Sequence, residues 1–524
     1  MLGVLFLVTV ARLRLLDFPL ERDEGEYAYA GQLILQGIPP YELAYNMKFP
    51  GTYLAYAVIM AVFGQTPAGI HLGILCLTTG TALMLYWLGK KLLDELAGVA
   101  AASSYAILAA SPSMLGNAGH ATHFCAFFVT AGLCFMWSAR QKEGWFSLAA
   151  FAACFGTAVL MKQHAAIIAA WAGLAYAAGK FLDPDKSAAK KILSTTFCAL
   201  LMLLPLALCC VWLWQAGVFA RFKFWTFDYA RAYATAVPLA YAPQIFASGV
   251  TRALGRVFVF PLLALAGVLV VQRDLRWKGS RTWLLGFCAA SALAVCPDFY
   301  FRKHYFLILL PALALLVGAA ISGLQKLWNG KSFGCCPAKG FAIAAIVTMF
   351  CLGNIWFVLP LHEIIRGTSA AKHGLYGPDP LPEAEIVAQY IREHTAPDAR
   401  IAVIGSEPEI YFLAHRHSAS GYIYTYPLME PQPFALQMQH DLINDLETRR
   451  PEFVVFCKNS LSTGIQPDSN LTLFNWWHDY STNYTLVGMT DIISATNTIV
   501  VLGADFIAHY PEPHGSALEI FQRR

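Results

Sequence analysis

The sequence predicts a polytopic α-helical membrane protein, with about eleven transmembrane helices and a C-terminal soluble α/β domain, and three observations point there. Only 13% of the 524 residues are charged while 57% are hydrophobic. Soluble domains carry about 25% charged residues, so half that density leaves too little polar surface to coat a globule. The apolar residues fall in runs of roughly 17 to 25, the length that crosses a bilayer as a helix. After residue 361 those runs stop, and shorter helix and strand patterns take over.

The first run, 2–16, starts directly at the N-terminus. No basic segment precedes it and no small-residue cleavage site follows, so it reads as an uncleaved first span rather than a signal peptide. Further spans are expected at 67–89, 96–112, 122–138, 145–161, 165–179, 192–215, 257–271, 282–295, 305–324 and 341–361. Sidedness follows from lysine and arginine in the short loops. Lys90 and Lys91; Arg140 and Lys142; Lys180, Lys186, Lys190 and Lys191; Arg273, Arg276, Lys278 and Arg281; and Lys326, Lys331 and Lys339 all share one side if the N-terminus is cytoplasmic. An odd number of spans then places the C-terminal tail outside. The two arguments agree.

The outer side collects the unusual polar residues. Its first loop, 17–66, is long, with two short interfacial helices expected at 26–36 and 52–63. A second loop lies near 113–121, and a third, 216–256, is rich in aromatic rings of the kind that sit at a membrane boundary. In the tail, helices are expected at 383–394, 408–415 and 434–449, and strands at 401–405, 453–457, 484–489 and 498–502. Alternating helices and apolar strands suggest a small α/β domain. It carries no glycine-rich phosphate loop. The division expected is 1–365 for the membrane domain and 366–524 for the outer domain. The cysteines include no C-x-x-C pair, and those in apolar segments act as small hydrophobes. The net charge of +4 is dispersed between apolar blocks, which argues against nucleic acid as a partner.

Four polar clusters stand out on the outer side. Glu21-Arg22-Asp23-Glu24-Gly25-Glu26-Tyr27 follows the first span directly and leads into an apolar helix. So many acids repel one another unless cations share the site; the alternative is a solvated linker. Lys48, in Asn46-Met47-Lys48-Phe49-Pro50-Gly51, either snorkels to the interface or anchors an anion. Arg302, Lys303 and His304 enter a span against the positive-inside bias, which favours a bound anion. Lys162 breaks two apolar blocks and is otherwise a solvated turn residue. Carboxylates and cations on one face suit an anionic lipid headgroup, with a carboxylate to take a proton.

These residues resemble a known pattern. Arg22-Asp23-Glu24 with Tyr27-Ala28, Lys48-x-Pro50, Phe63-Gly64, Met161-Lys162-Gln163 and Arg302-Lys303-His304-Tyr305 with Leu309-Leu310-Pro311-Ala312-Leu313 resemble the bacterial GT-C glycosyltransferases, in particular the protein O-mannosyltransferase and aminoarabinose-transferase-like enzymes. The likeness covers most of the membrane region, and 388–405 and 407–413 are similar to the outer domain of some members. It implies a polyprenyl-phosphate-linked sugar as donor and a site on the outer membrane face. By the same resemblance Asp23 is the general base, and Glu24 orients it or assists the acceptor. Lys48 lies near the donor phosphate, and Arg302, Lys303 and Lys162 neutralise the departing phosphate. Tyr27 and His123 join the substrate-binding set.

Two positions depart from the pattern. Where many relatives carry an acid in the second outer loop, this chain has Gly119-His120-Ala121-Thr122-His123-Phe124, and His123 is the residue that substitutes as a polar or metal-binding group, or else is a buried core histidine. Met47 stands where some relatives place an acidic metal ligand. No metal ligand is therefore assigned, and a divalent cation stays open. The function expected is an inverting, lipid-linked sugar transferase of a bacterial inner membrane, its outer domain periplasmic. Its partners are the lipid donor, membrane lipids and a lipid, glycan or protein acceptor. The rivals are a transporter or flippase, which would bind near the midplane on broken helices, and a non-catalytic binder of the lipid carrier.

Overall fold

In the computed structural model the described residues are 1–141, 144–184, 187–330, 373, 379–494, 497–508 and 516–524. Helices dominate as far as residue 330, and a six-stranded sheet organises the tail. The membrane region begins with α1 (Leu2–Leu13), α2 (Arg22–Leu35), α3 (Gly51–Phe63), α4 (Pro67–Leu92), α5 (Glu95–Leu108), α6 (Ala121–Gln141), α7 (Trp145–Met161), α8 (Ala165–Phe181) and α9 (Ala188–Gln215). Helices Ala242–Leu254, Val259–Arg273, Arg281–Leu293 and Leu310–Gly330 complete it.

Local chemistry sets the helix starts. Thr66 accepts from the Gly69 amide and Pro67 occupies the first turn of α4, where a missing N–H costs nothing. Asp94 accepts from the Ala97 amide at the start of α5. Glu21 caps α2 by accepting from the Asp23 amide at 2.8 Å, while Glu24 accepts from the Glu21 amide at 3.0 Å. That reciprocal pair satisfies two orphan donors and puts negative charge at the positive end of the helix.

The interfacial helices expected at 26–36 and 52–63 are α2 and α3. Nine of the ten apolar runs expected after the first are helical at the expected places, but length changes their reading. Among the described residues four helices are long and apolar enough to cross a membrane: α4, 121–139 of α6, α9 and Lys303–Lys326. A fifth counts if Leu239–Val257 and Val259–Arg273, bent by 97°, form one span. At 1.5 Å per residue, a helix of 14 residues such as α5 covers only about 21 Å of a core about 30 Å thick. α5 is accordingly wrapped by protein, with 97–98 and 100–108 buried. The expected span 341–361 lies outside the described residues.

The tail carries strands β1 (Arg400–Ile404), β2 (His417–Ser418), β3 (Phe453–Cys457), β4 (Tyr484–Ser494), β5 (Asn497–Leu502) and β6 (Ser516–Arg523), in the order β2-β1-β3-β6-β4-β5. β1 pairs in parallel with β2 and β3, Ile401 opposite Phe453, and β6 runs antiparallel between β3 and β4. Helices Leu381–Glu393, Glu409–Ala414 and Ala435–Arg449 cover the parallel half, as the sequence pattern indicates. β6 was not expected, and it holds the two halves of the sheet together. Helix Glu409–Ala414 packs directly on α2, so the tail rests on the first outer loop rather than standing apart from it.

Candidate active site

The first turn of α2 projects Asp23 toward Lys48, which returns from the far end of the same loop. The Lys48 ammonium donates to Asp23 Oδ1 at 2.9 Å and to Glu26 Oε2 at 2.6 Å, and sits 4.5 Å from the centre of the Tyr27 ring. Tyr53 on α3 donates to the other Glu26 oxygen at 2.5 Å. Backbone anchors fix this loop: Tyr41 donates to the Lys48 carbonyl at 2.6 Å, and Gln163 to the Met47 carbonyl at 2.7 Å.

The free side of Asp23 faces two histidines. His120 Nδ1 lies 3.5 Å and His304 Nε2 4.0 Å from Asp23 Oδ2, and the two rings stack at 4.2 Å with an 11° tilt. Thr122 donates to the His304 carbonyl at 2.9 Å, tying the second outer loop to the segment that carries Arg302. Burial works against a charge on Asp23, but Lys48 and His120 outweigh it and hold the carboxyl well below its usual range. Glu21 goes the other way: burial, with the Asp23 charge adding to it, pushes it up to about 7.

Three cations ring this carboxylate. Beyond Lys48, the Lys162 ammonium lies 3.7 Å from the centre of the Tyr305 ring and makes no ion pair among the described residues. Burial lowers its pKa to about 8, against the pull of Asp298 and Asp23. Arg302 donates to the Tyr233 hydroxyl at 3.1 Å and packs over the Tyr300 ring. The turn before it is left-handed at Asp298, Phe299 and Phe301, with φ of 66°, 58° and 44°. Each costs about 1–2 kcal/mol, and such strain persists where the surroundings over-determine it. Here Asp298 is gripped by the Tyr305 hydroxyl and the Tyr300 amide, both at 3.0 Å, which aims Arg302 at the site.

Of the residues singled out from sequence, Asp23, Tyr27, Lys48, Lys162 and Arg302 come together. Three do not. Glu24 is fully buried and turned away: Gly119 N donates to it at 2.5 Å and His71 lies 3.4 Å off, so it braces the second outer loop instead of assisting an acceptor. Lys303 is exposed and has no partner among the described residues. His123 is buried beside Arg12, His120 and the 116–118 backbone, and makes no hydrogen bond or ion pair with Asp23 among the described residues. His120 and His304 hold the place expected of it, and Glu26 was also passed over. Neighbouring helical residues diverge by about 100°, so the periodicity of α2 alone turns Glu24 away from Asp23.

Asp23, His120 and His304 each bring a donor atom within 4.8 Å of the others. One carboxylate with two imidazoles is a set that zinc accepts. The two rings stack with their centroids 4.2 Å apart, and neither buried nitrogen of His120 has a hydrogen-bond partner among the described residues. These three residues are the ones that would hold a divalent cation, with the Lys48 charge on Asp23 opposing it.

No protein-family model and no curated protein matches the sequence. Solved structures do match the fold. A structure of the aminoarabinose transferase ArnT from Cupriavidus metallidurans bound to undecaprenyl phosphate superposes with a TM-score of 0.60 at 15% identity, over 95% of this chain and 97% of that one. The same enzyme in its apo state gives 0.58 at 14%, over 98% and 99%. The archaeal oligosaccharyltransferase AglB from Archaeoglobus fulgidus, in complex with an inhibitory peptide and a dolichol-phosphate, gives 0.55 at 14%, over 99% and 75%. ArnT and AglB are both GT-C glycosyltransferases, and their fold is the fold of this chain.

Proposed function

From a chain with the GT-C fold, we propose an inverting glycosyltransferase that moves a sugar from a polyprenyl-phosphate donor to an acceptor hydroxyl at the periplasmic face of a bacterial inner membrane. One observation carries the reading: the part-buried Asp23 carboxylate is paired with Lys48 and lies within the electrostatic reach of Lys162 and Arg302. Residues 1–365 form the membrane domain that holds this centre, and 366–524 the periplasmic domain. The lipid phosphates bound in ArnT and AglB support a donor of that class here.

The chemistry follows from the residue types. The acceptor oxygen attacks the anomeric carbon as its proton passes to Asp23. The bond from that carbon to the phosphate oxygen breaks, its electron pair leaving with the lipid phosphate. A phosphate departs without a proton when cations stabilise it. In the resting site Lys48 quenches Asp23, and a base so far below neutral pH is weak. A donor phosphate competes for Lys48, and loss of that partner raises Asp23 toward useful basicity. Donor binding thus arms the base.

Reconstitution with labelled polyprenyl-phosphate sugars tests the reading. Asp23→Asn should lower turnover by about 100-fold or more, the usual range for general-base loss, with donor binding retained. Undiminished transfer by that variant removes Asp23 as base. Movement of donor across the bilayer without a new glycosidic bond favours a transporter, and donor binding with neither result favours a non-catalytic binder.

A further inference from the structure

One face of α2 is turned to the C-terminal domain. Positions 22, 25, 29, 32 and 36 recur at three- and four-residue spacing and so form one stripe. Arg22 bonds Asp379 Oδ1 at 3.0 Å, Glu407 Oε1 at 3.2 Å and the Tyr426 hydroxyl. The Tyr29 hydroxyl accepts from the Ser418 amide at 2.7 Å, Gln32 lies 2.9 Å from His415 Nδ1, and Gln36 lies 2.7 Å from His417 Nε2. A Cβ on Gly25 would fall 2.7 Å from the Glu409 backbone nitrogen, so glycine is what lets the two elements meet. Tyr424 donates to the Arg22 carbonyl at 3.0 Å. Asp23, Glu26 and Tyr27, on the adjoining stripe, face Lys48.

The anchor behind Arg22 is rigid. Glu407 is wholly buried, and its second oxygen accepts from Ser462 Oγ at 2.6 Å, Cys457 Sγ at 2.7 Å and the Ser406 amide at 2.8 Å. Glu409, pressed on Gly25, is also buried, with no partner for either oxygen among the described residues. Burial, then the Glu407 charge, holds its carboxyl well above the usual range, so it packs as a neutral group beside the Arg22 pairs with Glu407 and Asp379.

We infer that the C-terminal domain is a working part of the active centre: through Arg22, Glu407 and Asp379 hold α2 at the height and rotation at which Asp23 meets Lys48 and the acceptor. Arg22 and Glu407 are positioning residues, one residue and one domain removed from the base. The inference rests on the transferase reading for its catalytic half. A misplacement of 1 Å at a reacting group can cost about 100-fold in rate.

Two measurements on the full-length protein in lipid test it. Glu407→Gln keeps the shape and removes the charge. It should speed amide hydrogen exchange in α2 while α4 and α7 keep wild-type rates. In the transfer assay it should lower kcat about tenfold or more with the donor KM within about twofold. Arg22→Lys, which keeps charge but not the two-carboxylate fork, should fall between wild type and Arg22→Ala. Arg22→Ala with Glu407→Gln should be no worse than the worse single variant, the non-additivity of a shared unit. Gly25→Ala, which alters no charge, should give the same kcat loss. Unchanged α2 exchange and kcat in Glu407→Gln overturn the inference, as does exchange that speeds equally throughout the membrane helices. Should wild type transfer no sugar at all, the transferase reading fails, while the exchange result still decides whether the domain holds α2.

Discussion

Lys162 is half-buried over the ring of Tyr305 without a counter-ion among the described residues, and desolvation brings its pKa down to about 8. The sign of the consequence can be worked out. Between pH 8 and its ordinary value near 10.5, the unfolded chain binds the proton and the folded chain does not, so the lysine's contribution to stability rises with pH across that window. Its attraction for phosphate moves the other way and disappears as the ammonium deprotonates. A plot of kcat/KM for the lipid donor against pH should therefore bend downward near pH 8, since that ratio reports the free enzyme. Lys162→Arg, which cannot deprotonate in this range, should move the bend upward by more than one pH unit. A bend that stays in place assigns it to another group. At this scale the sequence was legible where residue type alone decides. Asp23, Lys48, Lys162 and Arg302 were found because charges at a membrane exit need a reason. His123 was chosen where His120 lies beside Asp23, because the choice depends on where α6 begins: His120 precedes the helix and reaches back to Asp23, while His123 rides its first turn into the core.

Elements were read better than their ends. α7 occupies the expected 145–161, and β3 the expected 453–457, because an apolar run bounded by polar residues has one good solution. β6 escaped because its pairing is entirely long-range: Leu518 and Ile520 are apolar, but only β3 and β4 on either side make a strand of so short a pattern. Span count is harder to read for a related reason. An apolar helix buried by protein looks in sequence like one facing lipid. The start of α5 shows how such a helix is held. Asp94 caps it through the Ala97 amide at 2.8 Å, takes Arg276 at 3.0 Å and accepts from the Ser322 hydroxyl, joining three helices at one end. Asp94→Asn keeps the cap and loses the ion pair; Asp94→Ala loses both. The alanine variant should be the less stable by about 1 kcal/mol, the usual worth of a cap, read from apparent thermal midpoints in the same lipid. Turnover should be equal in both, since the cluster lies at the opposite end of the bundle from Asp23. A catalytic defect in either variant would show that this end is coupled to the site.

At the scale of the whole molecule, two charge clusters sit at opposite ends of the same helices. His304 at the head of the Lys303–Lys326 span faces Asp23, while Lys326 at its foot pairs with Asp274 at 3.2 Å. α4 repeats the arrangement: His71 near its start lies 3.4 Å from Glu24, and Lys90 and Lys91 fall in its last turn, about 30 Å further along a helix rising 1.5 Å per residue. Asp23 and the basic loops are thus separated by about one bilayer core. The proposed placement of the site and of the domain packed on α2 outside the cell follows from basic loops that stay in the cytoplasm. Single cysteines decide this against the wild-type labelling background. Asp468 is exposed on the C-terminal domain, and Lys278 is exposed in the loop beside Arg276. Asp468→Cys should react with a membrane-impermeant maleimide in right-side-out spheroplasts and be protected in inverted vesicles, and Lys278→Cys should do the reverse. The opposite pattern would put Asp23 on the cytoplasmic side, where a donor displayed to the periplasm cannot reach it. Labelling of both from one side would break the link between the two ends of the bundle, so that no single set of helices would separate the Asp23 site from the basic loops.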